Sequence, residues 1–206
     1  MQKPVVKYPR NSVILPLREC LHACITFEQP RNCNRLNHKK MNSTLHVLPN
    51  NSRLWIFAAD AKLATEAATN FLARASELVA QWSAHGKQLR AGAEMRYDQF
   101  LFVAADEKVE APSGCSIDTL TREIGELGRQ FGVNFLAASR IFYRADDEIK
   151  SADRLAMKSL IASGALTPET IVLNNTLTTL GDLREGKWEV PAAQSWHSAY
   201  LAKMAS

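Results

Sequence analysis

Long apolar runs are missing from this sequence. The two longest, Leu54 to Ala59 and Phe100 to Ala105, have six residues each, far short of the ~20 that span a bilayer as a helix. Val13-Ile14-Leu15 is cut by Pro16, which spoils it as a signal-peptide core. No membrane segment is expected. Cysteine is scarce beyond the first forty residues, where only Cys115 follows Cys20, Cys24 and Cys33. A lone thiol cannot build a disulfide framework and suits a reducing compartment, so a cytoplasmic location is expected. Cys20, Cys24, Cys33 and His38 match no common zinc spacing, and no metal is expected. A complete nucleotide motif is absent too. Gly181 to Lys187 fits seven positions of a P-loop, but Trp188 stands where a Ser or Thr must hold magnesium. Pro191 then interrupts the helix such a loop requires. No cofactor and no ATPase activity are expected.

An even spread of charge is lacking as well. The net charge of +4 comes from 25 Lys/Arg and 21 Asp/Glu. Residues 1–40 hold eight basic against two acidic side chains, and the remainder seventeen against nineteen. The main body is mildly acidic, so nucleic acid is not expected as a partner. Residues 1–48 read as a basic leader, either disordered or an upstream start extension with Met41 as the start.

What is present is an α/β (α+β) pattern in a single domain over 49–206. Leu54 to Ala59 reads as a strand buried on both faces. Phe71, Leu72, Ala75, Leu78, Val79 and Trp82 recur at helical spacing, predicting a helix from about Lys62 to Ala84, stopped at His85-Gly86. Leu89 to Tyr97 alternates apolar and polar, as a strand with one wet face does. Asp98-Gln99 allows a hairpin into the apolar strand Phe100 to Ala105. Ile117, Leu120, Ile124, Leu127 and Phe131 mark a second helix closed by Gly132, and Arg140 to Arg144 a fourth strand. This βαββαβ order over 49–144 predicts a ferredoxin-like sandwich. Residues 145–206 form an α/β extension: a helix over Ser151 to Ser163, a strand at Thr170 to Leu173, an extended Trp188 to Pro191, and a short last helix holding Ser195-Trp196-His197. Trp188 and Trp196 imply that this extension docks on the core.

The ferredoxin-like topology brings His85, Asp106-Glu107 and Cys115 to one end of the sheet and Asp60 and Asp98 to the other. Ser113-Gly114-Cys115-Ser116-Ile117-Asp118 opens the second helix, and a thiol at a helix N-terminus ionises more readily. Candidate catalytic residues are Cys115 as nucleophile, His85 or else His197 as its base, and Asp118 or else Glu107 as the orienting carboxylate. Candidate ligand-binding residues are Glu107, Ser116, Trp196 and His197. The structural alternative makes Ser113 or Ser116 a helix cap, Cys115 a small buried residue and His85 a helix-terminal cation.

From Met41 onward, one set of pieces stands out: Ser52 to Ile56, Trp82 to Gly86, Ala105 to Glu107, Ser113 to Asp118, Asn174-Asn175, Trp188 to Pro191 and Ser195 to His197. On these pieces the chain resembles a family of small bacterial proteins of uncharacterised function, often labelled "ABC transporter ATPase". The resemblance supports the domain boundaries and the candidate residues. It brings no mechanism with it.

These observations lead to an expected function. The chain binds a small ligand or a protein partner at the sheet end carrying His85 and Cys115. The alternatives are a thiol-dependent enzyme or redox protein using Cys115, and a structural homodimer formed through an open sheet face or edge.

Overall fold

The computed structural model describes residues 44–135 and 140–204, all within one compact unit, His38–Ser206. The leader and the Met41 start lie outside the described residues, apart from a short 3-10 turn at Leu45–Val47.

Three strands, β1 (Arg53–Ala58), β4 (Ala91–Arg96) and β5 (Phe100–Ala105), form an antiparallel sheet in the order β1-β5-β4. Every residue of the central strand β5 is buried. Its side chains alternate between two cores, as the pleat requires. Leu101, Val103 and Ala105 face α1 (Thr65–Gln81) and α2 (Gly114–Gln130), where Phe71, Leu72, Leu120 and Ile124 are packed. Phe100, Phe102 and Ala104 pack instead with Phe142, Leu173, Leu183 and Trp188. Trp188 is 1% exposed, with its ring against Tyr97, Phe100 and Phe102. The C-terminal residues thus form a third layer, and this sheet has no open face among the described residues.

The α+β class holds, but the ferredoxin-like layout is not reproduced. The order β1-β5-β4 matches three strands of that plan. The fourth, β6 (Arg140–Ala145), joins a separate antiparallel sheet with β7 (Glu148–Asp153), β8 (Ile171–Leu173) and β9 (Glu189–Pro191), in the order β7-β6-β8-β9. The free edge of β1 is met by the chain at Thr178-Thr179, through a bridge from Arg53 to Thr179 and a bond from the Leu54 N–H to the Thr178 carbonyl at 2.8 Å.

Three local expectations are corrected. First, helix α1 stops at Gln81, and His85-Gly86 is the turn of a two-residue hairpin joining β2 (Ser83–Ala84) to β3 (Lys87–Gln88). His85 at φ 52° and Gly86 at φ 76° supply the paired positive angles of a type I′ turn. Second, residues 151–153 belong to strand β7 instead of a helix. The chain reverses at Asp146 (φ 55°), and helix α3 begins only at Met157 (Met157–Ala162). Third, Ser195-Trp196-His197 precede the last helix, α5 (Ser198–Met204). The undecided stretch near Leu177 contains α4 (Leu180–Arg184), capped by Thr179, whose hydroxyl accepts from the Asp182 N–H at 3.2 Å.

Candidate functional site

The N-terminus of α2 is fixed by its own sequence. The Ser113 hydroxyl accepts from the Ser116 N–H at 3.2 Å, and the Ser116 hydroxyl donates to the Ser113 carbonyl at 2.9 Å. The buried Trp82 indole donates to the Ser116 carbonyl at 2.9 Å, tying the end of α1 to this turn. Ser113 is thus the cap, and Ser116 is buried with its hydroxyl engaged. Cys115 is exposed, against the expectation of a small buried residue. The reason is rotational: Ser116 and Leu120 are the buried positions of this turn, and Cys115 falls on the other side.

A groove of about 430 Å³ runs between this turn and the β2–β3 hairpin. His85, Cys115, Ser116, Trp82, Thr119 and Glu123 line it. The Lys87 ammonium reaches Glu110 at 3.1 Å, linking the hairpin to the loop before α2. Asp106 and Glu107 lie nearby in the chain but bond elsewhere, Asp106 with Arg90 at 3.3 Å and Glu107 with Arg53 at 3.4 Å. Neither lines the groove, and neither does Asp118, which is exposed on α2. Asp60 and Asp98 are at the opposite end, where the Asn134 N–H donates to the Asp60 carboxylate and the Leu63 N–H to the Asp98 carbonyl.

Trp196 and His197 are not part of this groove. They line a second cavity, of about 730 Å³, between the two sheets. Helix α2 separates the two spaces. Thr119 and Glu123 line the groove and Thr121 the cavity, which follows from the rotation of about 200° per two residues. The candidate ligand residues therefore divide, Ser116 at the groove and Trp196 and His197 at the cavity, with Glu107 in neither.

The P-loop-like stretch has no free cation. Lys187 is held by Asp182 at 2.7 Å and Glu185 at 2.9 Å, and both carboxylates raise its pKa. Among the described residues, no three His, Cys, Asp or Glu side chains cluster as a metal would need, and no helix is long and apolar enough to cross a membrane.

Sequence reasoning missed the burial of His197, which is 1% exposed. The available signal was Ser195, two residues earlier, whose hydroxyl lies 2.8 Å from the imidazole Nδ1. It also missed a polar knot between the sheets. There the Tyr97 hydroxyl donates to Glu189 at 2.6 Å and accepts from Arg144 at 2.7 Å, while Arg144 pairs with Glu189 at 2.6 Å. Burial, then the Glu189 carboxylate, raises the Tyr97 pKa. Comparison with protein-family models, with curated proteins and with solved structures finds no match to this chain.

Proposed function

We propose that this chain is a cytoplasmic protein that binds a small polar ligand in the groove between the β2–β3 hairpin and the first turn of α2. The observation that carries the reading is the groove itself. Ligand binding requires a concave space near His85, and about 430 Å³ is present there, with an imidazole-bearing and a thiol-bearing residue on its walls. That volume falls within the range of about 300–1,000 Å³ typical of small-molecule sites. The walls are firm, because the Ser113 cap and the Trp82 indole fix one side and a tight turn fixes the other.

The test is residue-resolved. The full chain, labelled with nitrogen-15, is titrated with a mixture of small polar fragments. Amide shifts are expected to gather at Ala84, Gly86, Ser116 and Thr119, and to vanish in Thr119→Trp, which fills the groove from an exposed helical position. Shifts that avoid the groove, or that persist in the variant, contradict the reading.

The exposure of Cys115 favours a second reading, in which the thiol acts as nucleophile or redox group with His85 as its base. In that case His85→Ala slows modification of Cys115 by a small electrophile at neutral pH. An unchanged rate counts against the pair.

A further inference from the structure

The cavity between the sheets has the anatomy of a separate binding site. Its volume of about 730 Å³ also lies within the usual range of about 300–1,000 Å³. Apolar residues of β1, β6 and β8, with Phe135 and Trp196, make more than half of its wall, and polar groups converge on it: Thr121, Arg140, Arg154, Asn175, Thr176 and His197.

His197 is the informative one. The Ser195 hydroxyl has a single proton, and the Ala192 carbonyl at 3.1 Å and the ring Nδ1 at 2.8 Å are both within its reach. When the carbonyl takes that proton, the hydroxyl accepts from Nδ1 and from the His197 backbone N–H at 3.3 Å. In that arrangement, which the proposal below adopts, the ring proton sits on Nδ1 and Nε2 holds a lone pair. Nε2 is buried and has no hydrogen-bond partner among the described residues. His197 lines the cavity, and of its two ring nitrogens Nδ1 is the one that Ser195 engages. Burial, with the Arg154 charge adding to it, lowers the His197 pKa to about 4, so at neutral pH the ring stays uncharged and the acceptor remains available. Trp196 stacks on the ring at 3.9 Å and holds its plane. Buried polar atoms are seldom left unpaired, and this one asks for a donor.

The opposite requirement comes from the two arginines. Arg140 is steadied by Ser151 at 2.6 Å, and Arg154 lies over Trp196 at 4.9 Å. Among the described residues neither guanidinium pairs with a carboxylate. No Asp or Glu lines the cavity. Two guanidinium groups at the cavity, Arg140 half-buried and Arg154 exposed, with no carboxylate partner among the described residues, favour an anion, and the planar fork suits a carboxylate.

We propose that the cavity is a second binding site, distinct from the His85 groove, for a small and largely apolar carboxylate bearing one O–H or N–H donor. The donor meets Nε2 of His197, and the carboxylate meets Arg140 and Arg154.

Three probes separate the parts of this claim: 4-hydroxybenzoate, benzoate, which lacks the donor, and phenol, which lacks the anion. Binding to the full chain is followed by tryptophan fluorescence and by the nitrogen-15 resonances of the His197 ring. The expected result is saturable binding of 4-hydroxybenzoate with a Kd of about 1 mM or tighter, and about tenfold weaker binding of the other two. His197→Phe should remove the advantage of 4-hydroxybenzoate over benzoate. Arg154→Gln, at an exposed position that leaves the core intact, should weaken both carboxylates and spare phenol. Overturning results are an Nε2 that carries the proton in the free protein, no saturation by 4-hydroxybenzoate, or equal binding of all three probes.

Discussion

His197 shows how far a single residue can depart from its sequence context. It was expected on a terminal helix beside the thiol, and it is instead buried next to Trp196 in another part of the protein. The local signal, Ser195 two residues earlier, is too weak to place it there, because a histidine between two serines and a tryptophan fits a surface turn equally well. Its burial has a measurable consequence. The ring titrates near 6.5 when unfolded and near 4 when folded, so the folded state favours the neutral form. That contribution is complete above pH 6.5 and is lost as the pH falls toward 4. It amounts to about 3 kcal/mol at full extent. Urea unfolding at pH 7 and pH 4 should show His197→Phe losing less stability on acidification than the parent, by about that amount. Equal losses would mean that the ring is not buried as described. The Ser113 cap, in contrast, was legible, since a serine just before a helical apolar stripe has one common use.

Strands are more legible than turns in this sequence, and the reason is burial. The six residues of β5 are apolar because both faces are covered, and the pattern gave both its ends. The β2–β3 hairpin was missed because glycine signals a helix stop and a type I′ turn alike, and His85-Gly86 fits both. Strand β7 was missed because Glu148 to Asp153 is a half-exposed strand with charged residues, which give no strong period. Helix α2 offers the clearest prediction at this scale. Ser113→Ala removes the acceptor for the Ser116 N–H and should cost about 1 kcal/mol. Thermal unfolding would report it as a lower Tm, and an unchanged Tm would show that the turn is held by other contacts.

For the whole molecule, the decisive fact is the layer over Phe100, Phe102 and Ala104. A two-layer ferredoxin-like sandwich leaves one sheet face open. A central strand apolar at six consecutive positions is poorly suited to that plan, and this signal in the sequence pointed to a third layer. Which sheet the strand Arg140–Ala145 would join was not legible, because sheet membership depends on partners distant in sequence. Trp188 is the main rivet between the layers, so Trp188→Ala should cost about 3–5 kcal/mol. Chemical denaturation should show the whole unit weakened in one transition. Loss confined to the C-terminal sheet, with β1-β5-β4 unaffected, would contradict the shared core.

The most direct test of the account is the accessibility of Cys115 in the folded full chain, read by iodoacetamide modification with peptide-resolved mass spectrometry. The groove between α2 and the hairpin requires an exposed thiol. Cys115 should therefore react under native conditions, at a rate that urea below the unfolding transition leaves unchanged, and more slowly in Thr119→Trp. A Cys115 that reacts only as the protein unfolds would mean that the groove is closed, and the proposed site would fall with it.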